Sequence, residues 1–307
     1  MTGGPAPVLL EARDVMKEFR ARGGRRRAPR EAVRAVDGVS LSIREGEMFG
    51  LVGESGSGKT TLGQAILRMH EPDAGSVRFR GQEILDLPRS ELRGLRQRMQ
   101  YVFQDPFGAL NPRLRIVTAI GEPMRTHGLA SRDDERQRVI EVLEQCGMGA
   151  DALDRYPHEF SGGQRQRIVI ARAMALQPEF VVADEPVSAL DVSVQGQIVN
   201  LLCDLREERR TSFLFISHDL SVVEHMCTSV AIMYRGAIVE QGSREQIFDD
   251  PRHPYTRELL DAVPIVSPRN RGQRRRRGTD RSWDAPGEPR PELRDIGGGH
   301  LVALPGE

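Results

Sequence analysis

Apolar residues follow two alternating patterns along the chain. Short apolar or alternating runs, which are typical of strands, occur at 8–19, 33–43, 47–53, 180–183 and 213–217. Helical stripes, with apolar residues three and four positions apart, occupy 60–69 and 194–205. Two further runs, 230–234 and 238–241, flank Arg235-Gly236 and predict a hairpin. Strands that alternate with helices predict an α/β fold, with a largely parallel sheet covered by helices on both faces.

Three stretches depart from this alternation. Pro, Asn and Gly at 106–112 interrupt the pattern and charged helical segments follow, so residues 106–164 are predicted to form a mainly helical insertion. An arginine-rich stretch at 269–290 has few apolar residues and many Gly and Pro, which predicts a disordered linker. The arginine-rich residues 20–30 predict a solvated surface loop, with contact to anionic lipid or phosphate as the alternative.

Composition excludes several classes of protein. The 307 residues carry 44 basic and 44 acidic side chains, and a net charge of zero gives no global field for nucleic acid. Apolar runs are too short to cross a bilayer. The three cysteines, Cys146, Cys203 and Cys227, form no CxxC pair, so a cysteine-based metal site is not expected. Isolated cysteines in odd number are typical of a protein in a reducing compartment. The N-terminus resembles no signal peptide, and the cytoplasm is the expected location.

A glycine-rich loop lies between the strand at 47–53 and the helix at 60–69. It matches the pattern GxxxxGK[ST] and consists of Gly53, Glu54, Ser55, Gly56, Ser57, Gly58, Lys59 and Thr60, with Thr61 following. Such glycines let backbone amides surround phosphate oxygens, and the helix N-terminus favours the same anion. Lys59 is predicted to reach the β- and γ-phosphates of a nucleotide, and the Thr60 hydroxyl to bind Mg²⁺. Only two of the 44 basic residues are lysines, and one stands at this position.

An acidic pair follows the apolar run Phe180–Ala183. Asp184 and Glu185 would then lie at the carboxyl end of a buried strand, where α/β sheets bind ligands. Asp184 is predicted to hold Mg²⁺, mainly through water, and Glu185 to polarise the attacking water. The alternative, two acids that only terminate a strand, loses weight because of the glycine-rich loop.

A second candidate anion site begins a long helix. It consists of Ser161, Gly162, Gly163 and Gln164, and could supply donors to the far side of a γ-phosphate. The alternative is an ordinary helix cap.

Four single residues complete the candidate set. Gln104 could bind Mg²⁺ or water, and His218, after the run 213–217, could contact the γ-phosphate unless its role is structural. Asp191 lies just beyond the acidic pair. Phe19 could stack on adenine or belong to the core.

Together these motifs resemble, in order, those of the ATPase subunits of ATP-binding cassette (ABC) transporters. The resemblance covers about residues 8–250 and implies a P-loop NTPase fold, with a RecA-like core, an antiparallel β subdomain and a helical signature subdomain at about 106–164. It implies that Gly53–Thr60 is the Walker A loop, Phe180–Glu185 Walker B, and Ser161–Gln164 the signature. Gln104, Asp191 and His218 then correspond to the Q-loop, the D-loop and the switch histidine. It also implies a head-to-tail dimer, in which the Ser161 helix covers ATP held by the partner.

Two segments are similar to a narrower group, the oligopeptide and dipeptide importers. These are Gln104–Pro112 and His253–Arg257, and the latter opens the C-terminal extension of that group, here 251–307. Residues 291–293 and 299–302 resemble the end of that extension. Many relatives have a cysteine cluster there, but no cysteine follows Cys227, so no cluster is expected. Nickel and sugar importers of the same subfamily remain alternatives.

The resemblance also implies partners and a location. ATP and Mg²⁺ are the expected cofactors. The expected direct partners are transmembrane permease subunits and a second ATPase subunit, which would be identical or paralogous. An extracytoplasmic substrate-binding protein would act indirectly, and the chain would lie peripherally on the cytoplasmic face of the membrane. The single cassette and the zero net charge disfavour a soluble cassette protein that acts on DNA or ribosomes. The presence of both Glu185 and Ser161 disfavours a regulator that binds nucleotide without hydrolysing it.

Overall fold

The computed structural model describes residues 6–20, 32–262 and 292–303, which form two β-sheets with helices packed around them. The strands are β1 (Val8–Arg20), β2 (Ala32–Arg44), β3 (Met48–Val52), β4 (Ala74–Phe79), β5 (Gln82–Glu83), β6 (Met99–Val102), β7 (Phe180–Asp184), β8 (Ser212–Ser217), β9 (Ser229–Tyr234), β10 (Ala237–Ser243), β11 (Leu293–Asp295) and β12 (Leu301–Ala303). The helices are α1 (Lys59–Ile66), α2 (Arg89–Arg98), α3 (Pro106–Ala109), α4 (Ile116–Thr126), α5 (Glu135–Gln145), α6 (Gly162–Met174), α7 (Val192–Arg209), α8 (Leu220–Met226), α9 (Arg244–Asp249) and α10 (Pro254–Ala262).

The larger sheet has eight strands in the order β11-β12-β10-β9-β3-β8-β7-β6. Strands β9, β3, β8, β7 and β6 are parallel, which confirms the predicted α/β fold. β3, β7 and β8 are buried along their whole length, because helices cover one face and α1 with the smaller sheet covers the other, and this explains their continuous apolar runs. The predicted hairpin is present as β9 and β10, and β12 and β11 continue the antiparallel edge.

The smaller sheet is antiparallel, with the order β2-β1-β4-β5. Its inner face and helix α1 share one apolar core with β3, in which Leu10, Ile43, Phe49, Leu62 and Ile66 are buried. This packing fixes α1 between the two sheets. The helix predicted at 60–69 ends earlier, at Ile66, because the chain turns there and Arg68 adopts a positive φ of 50°.

Residues 106–164 are mainly helical, as predicted. They contain α3, α4, α5, two 3₁₀ turns (Ala150–Ala152 and Pro157–Glu159) and the first turn of α6. α6 continues to Met174 and packs against β6, α5 and α7, so it connects this region to the larger sheet. Within the described residues, no helix is long and apolar enough to span a membrane.

The C-terminal segment adds to the larger sheet. β12 pairs with β10, where Glu240 lies opposite Val302, and β11 pairs with β12. The end of the chain and the cassette therefore share one sheet. The predicted linker at 269–290, and residues 21–30 of the predicted arginine-rich loop, lie outside the described residues.

Candidate functional site

The glycine-rich loop connects β3 to α1 and is pressed against neighbouring backbone. At Gly58, with φ of 104°, a Cβ atom would lie 2.0 Å from the carbonyl oxygen of Ala35. At Gly53, a Cβ atom would lie 2.1 Å from the carbonyl oxygen of Met233. Any larger residue at either position would displace the backbone, so the two glycines fix the path of the loop.

The ammonium group of Lys59 lies inside this loop. Its Nζ donates hydrogen bonds to the carbonyl oxygens of Gly53 (2.7 Å) and Glu54 (2.8 Å), and Ser57 Oγ lies at 3.4 Å. Only 4% of Lys59 is exposed. This burial lowers the pKa of Lys59 below its usual value, although the nearby carboxylates of Glu185 and Asp184 oppose the shift. The loop backbone thus satisfies a buried cation at the position where the sequence predicts phosphate.

Asp184 ends β7 as a nearly buried carboxyl group bound by two hydroxyls. Its Oδ1 accepts a hydrogen bond from Thr60 Oγ1 (3.0 Å), and its Oδ2 accepts one from Tyr101 Oη (2.6 Å). Burial raises the pKa of Asp184 above its usual value, and the two hydroxyl donors oppose the rise. Tyr101 was not among the residues predicted from the sequence, although its place on the strand before Gln104 was a usable signal.

Glu185 lies beside Asp184 and has two side-chain partners from neighbouring strands. Its Oε2 is 3.0 Å from Gln104 Nε2 and 3.2 Å from His218 Nδ1. Gln104 follows β6 and His218 follows β8, the strands on either side of β7. Glu185 itself adopts a positive φ of 44°, which is unusual for a side-chain-bearing residue. Three residues predicted separately therefore meet at one carboxylate.

These groups surround a cavity of about 540 Å³ at the carboxyl edge of the parallel strands. It is lined by Ala35, Val52, Gly53, Glu54, Ser55, Gly56, Gly58, Lys59, Thr60, Thr61, Gln104, Glu185, His218 and Leu259. A cleft at this edge is the usual ligand site of open α/β sheets. Leu259, which comes from α10 in the C-terminal segment, was not among the residues predicted from the sequence.

Other candidate residues lie outside this cavity. Ser161 caps α6: its Oγ accepts from the Gln164 amide (3.3 Å), and Gln164 Oε1 accepts from the Ser161 amide (3.0 Å). A Cβ atom at Gly163 would lie 2.4 Å from Val194 Cγ1, so Gly163 allows α6 to approach α7 closely, while Gly162 faces Leu190 at a longer distance.

Asp191 and Phe19 occupy exposed positions. Asp191 lies at the N-cap of α7. Phe19 lies near the end of β1, 40% exposed, and its ring meets His70 edge-on at 5.6 Å. Neither residue lines the cavity around Lys59.

A buried lysine in a glycine-rich loop and an acidic pair at the carboxyl edge of a parallel sheet define a P-loop nucleotide-binding protein. The chain belongs to the ABC transporter family, whose members bind and hydrolyse ATP. The family model described as "ABC transporter" matches residues 36–188. The model described as "Oligopeptide/dipeptide transporter, C-terminal region" matches residues 239–288.

Curated relatives agree with this assignment. The chain is 47% identical over 277 residues to the oligopeptide transport ATP-binding protein AppF of Bacillus subtilis, covering 90% of this chain and 84% of AppF. It is 48% identical over 266 residues to a putative peptide import ATP-binding protein of Brucella ovis, covering 87% of this chain and 82% of that protein. It is 47% identical over 305 residues to the glutathione import ATP-binding protein GsiA of Salmonella typhimurium, covering 97% of this chain but 48% of GsiA.

Solved structures confirm the fold. The chain is similar, with a TM-score of 0.68 and 28% identity, to the dimeric post-hydrolysis structure of the ATP-binding cassette MJ0796 bound to ADP and Pi. That similarity covers 77% of this chain and 99% of the other. CbiO1 of Clostridium perfringens, part of the transporter complex CbiONQ, gives a TM-score of 0.67 at 25% identity, covering 84% of this chain and 96% of CbiO1.

Proposed function

We propose that this chain is the ATPase subunit of an importer of oligopeptides or dipeptides, and that the cavity around Lys59 is its hydrolytic site. The observation that carries the proposal is the arrangement of Gln104, Glu185 and His218 beside the glycine-rich loop. Support for a peptide substrate comes from the match at 239–288 and from the names of AppF and the Brucella relative.

The loop binds the phosphates of ATP. The Lys59 ammonium now donates to two loop carbonyls and can turn the same hydrogens towards the β- and γ-phosphates. The amides of the loop and the N-terminus of α1 face the same anion. Binding therefore exchanges hydrogen bonds from the ammonium to neutral carbonyls for hydrogen bonds to anionic phosphate oxygens, which add the attraction of opposite charges.

Thr60 and Asp184 fit a magnesium site. Their oxygens lie 3.0 Å apart, Asp184 is buried and Thr60 lines the cavity, and hydroxyl and carboxylate oxygens are ligands that Mg²⁺ accepts. Among the described residues, no group of three or more His, Cys, Asp or Glu side chains could hold a metal ion, so phosphate and water oxygens would complete the shell. Gln104 is a further candidate ligand. The ion would neutralise charge on the β- and γ-phosphates.

Glu185 is the group that acts on water. In hydrolysis the water oxygen attacks the γ-phosphorus, its proton passes to the Glu185 carboxylate, and ADP leaves with the electrons of the broken bond. Gln104 and His218 hold the carboxylate from two sides, so its orientation is set before water arrives. His218 is also placed to contact the γ-phosphate, because it lines the same cavity.

The remaining motif residues act across a dimer. Ser161, Gly162, Gly163 and Gln164 lie outside the cavity of their own chain, and Ser161 and Gln164 are exposed at the N-terminus of α6. In a head-to-tail dimer this N-terminus would cover ATP held by the partner, and Asp191 would approach the same interface. Phe19, exposed near the end of β1, would stack on adenine.

Permease subunits dock in an apolar groove of about 490 Å³ near Gln104. The groove lies between α2, β6 and the helical region, and its lining includes Leu92, Leu95, Phe103, Val169 and Arg172. Docking there places the chain peripherally on the cytoplasmic face of the membrane. A substrate-binding protein acts on the other side and reaches the ATPase only through the permease.

The test is to purify the chain with its partners after mild detergent extraction and to reconstitute the complex in lipid vesicles. We expect permease subunits to co-purify, and ATP to drive uptake of a labelled peptide. Glu185→Gln should stop uptake, whereas Glu207→Gln, an exposed carboxylate on α7, should not. Co-purification with ribosomes or DNA would contradict the transporter assignment, and uptake of nickel or sugar but not peptide would contradict the substrate.

A further inference from the structure

Helix α10 of the C-terminal segment contacts the glycine-rich loop directly. The Glu54 amide of the loop donates a hydrogen bond to Tyr255 Oη at 3.2 Å. Tyr255 is 2% exposed, and its ring packs on Tyr234 of β9 with 4.4 Å between the centroids. A buried tyrosine hydroxyl from outside the core cassette motifs is therefore a hydrogen-bond partner of the phosphate-binding loop.

A second residue of α10 reaches the same place. Leu259 lies four positions after Tyr255, which puts both on one face of the helix. Leu259 lines the cavity together with Lys59, Glu185 and His218. The helix thus contributes one polar contact to the loop and one apolar side chain to the wall of the cavity.

The start of α10 is held by a buried carboxylate of β10. Glu240, with no exposed surface, accepts hydrogen bonds from the amides of Arg252 (2.7 Å) and His253 (3.0 Å). His253 Nδ1 in turn accepts from the Tyr255 amide at 3.1 Å. The same carboxylate lies 2.8 Å from His300 Nε2, near the end of the described chain. One buried group therefore fixes both ends of the extension.

We propose that Tyr255 is a positioning residue for the phosphate-binding loop, through which the C-terminal extension sets the affinity of the chain for ATP. When phosphate draws the Lys59 ammonium away from the carbonyls of Gly53 and Glu54, the loop loses two internal hydrogen bonds. The bond from the Glu54 amide to Tyr255 is outside this exchange and holds the loop in its binding geometry. The inference rests on the proposed function, because it assumes that this loop binds ATP.

The test compares Tyr255→Phe with wild type in the full chain, and then in the assembled complex. Phenylalanine keeps the ring contact with Tyr234 and removes only the hydroxyl. A neutral hydrogen bond contributes enough to shift an equilibrium roughly two- to tenfold, so we expect the Kd of ATP to rise by that factor. The KM for ATP should rise in parallel, while kcat at saturating ATP stays within about twofold. Tyr156→Phe, in the helical region, is the matched control.

The outcomes separate this inference from the proposed function. If wild type binds ATP and Tyr255→Phe binds it equally well, the positioning role is wrong while the site stands. If the variant loses thermal stability and kcat but keeps the wild-type KM, Tyr255 is only structural. If wild type does not bind ATP, the proposed function itself fails.

A second measurement does not depend on the folding of the tyrosine variant. Leu259→Cys, in a chain carrying Cys203→Ser, is labelled with an environment-sensitive fluorophore, since the remaining cysteines are buried. ATP at a concentration near the wild-type Kd should change the emission, and at that concentration the same label in a Lys59→Ala background should show a much smaller change. If the labelled chain binds ATP but its emission does not change, the inference that α10 contacts the nucleotide site is wrong.

Discussion

Replacing Glu185 with glutamine removes the proposed proton acceptor and little else. The side chain is 14% exposed and held by Gln104 and His218, and an amide of the same shape can keep one oxygen facing these partners. Lys59, Thr60 and Asp184 make their contacts with one another and the loop without the Glu185 side chain. We therefore expect ATP binding to persist in Glu185→Gln.

The expected loss is in the chemical step. A positioned general base contributes about 10²–10⁴ in rate, which corresponds to about 2.7–5.5 kcal/mol in the activation barrier. Hydrolysis at the mutant site should fall by that factor, and ATP should accumulate between Lys59 and the signature loop of the partner. The partner's own site, covered by Ser161 of this chain, should keep its activity if its glutamate is intact.

The assay is single-turnover hydrolysis with a measurement of retained nucleotide in the purified complex. Glu207→Gln, on the exposed surface of α7, controls for the change in charge. Near-normal hydrolysis at the mutant site would refute the assignment of Glu185 as the base. Loss of ATP binding would show instead that Glu185 maintains the structure of the site.

Three further changes test other parts of the structure. Lys59→Ala removes a charge-assisted contact of roughly 1.5–3 kcal/mol, so ATP affinity measured by titration should fall about ten- to a hundredfold, and unchanged affinity would contradict the contact. A chain ending at residue 268 keeps α10 and should still bind ATP, but it removes His300 from Glu240 and β12 from its pairing with β10, so its melting temperature should fall; an unchanged temperature would show that β11 and β12 add no stability. Burial lowers the pKa of His253 to about 4, beside Glu240 and Arg257. The unfolded chain binds this proton below about pH 6.5 and the folded chain does not, so the free energy of unfolding should fall by up to about 3 kcal/mol as pH drops from about 6.5 to 4. In denaturant titrations at several pH values, His253→Gln should remove this part of the pH dependence of the unfolding free energy, and an unchanged pH dependence would show that another group is responsible.

Local signals carried most of the site. Gly53, Gly58, Lys59 and Thr60 lie within eight positions of one another, between a predicted strand and a predicted helix. The conformation of this loop therefore depends mainly on local sequence, which is why it could be predicted. Gln104 and His218 were predicted from their places after apolar runs. They meet at Glu185 because β6 and β8 flank β7, an order that the pattern of one strand cannot specify. The functions of these side chains remain predictions.

Contacts between distant parts of the chain were not predicted. Tyr101 contacts Asp184 across paired strands, and Tyr255 meets Glu54, 201 positions away in sequence. The pairing of β12 with β10 depends on which edge of the sheet is available, and a strand of three residues is too short for its hydrophobic pattern to predict it. Helix α1 ended before its apolar stripe did, because tertiary packing and the turn at Arg68 override periodicity.

The close approach of α6 and α7 has a consequence for the interpretation of inactive variants. Even the smallest side chain at Gly163 would place carbon 2.4 Å from Val194 Cγ1 and force the two helices apart. α6 carries Ser161 at its start, and α7 follows Asp191. A Gly163→Ala variant would therefore displace two candidate interface elements together, although Gly163 does not line the cavity around Lys59. In a genetic screen, inactive substitutions at Gly163 should therefore be interpreted as defects in helix packing. Suppressor mutations are expected to place smaller residues at position 194.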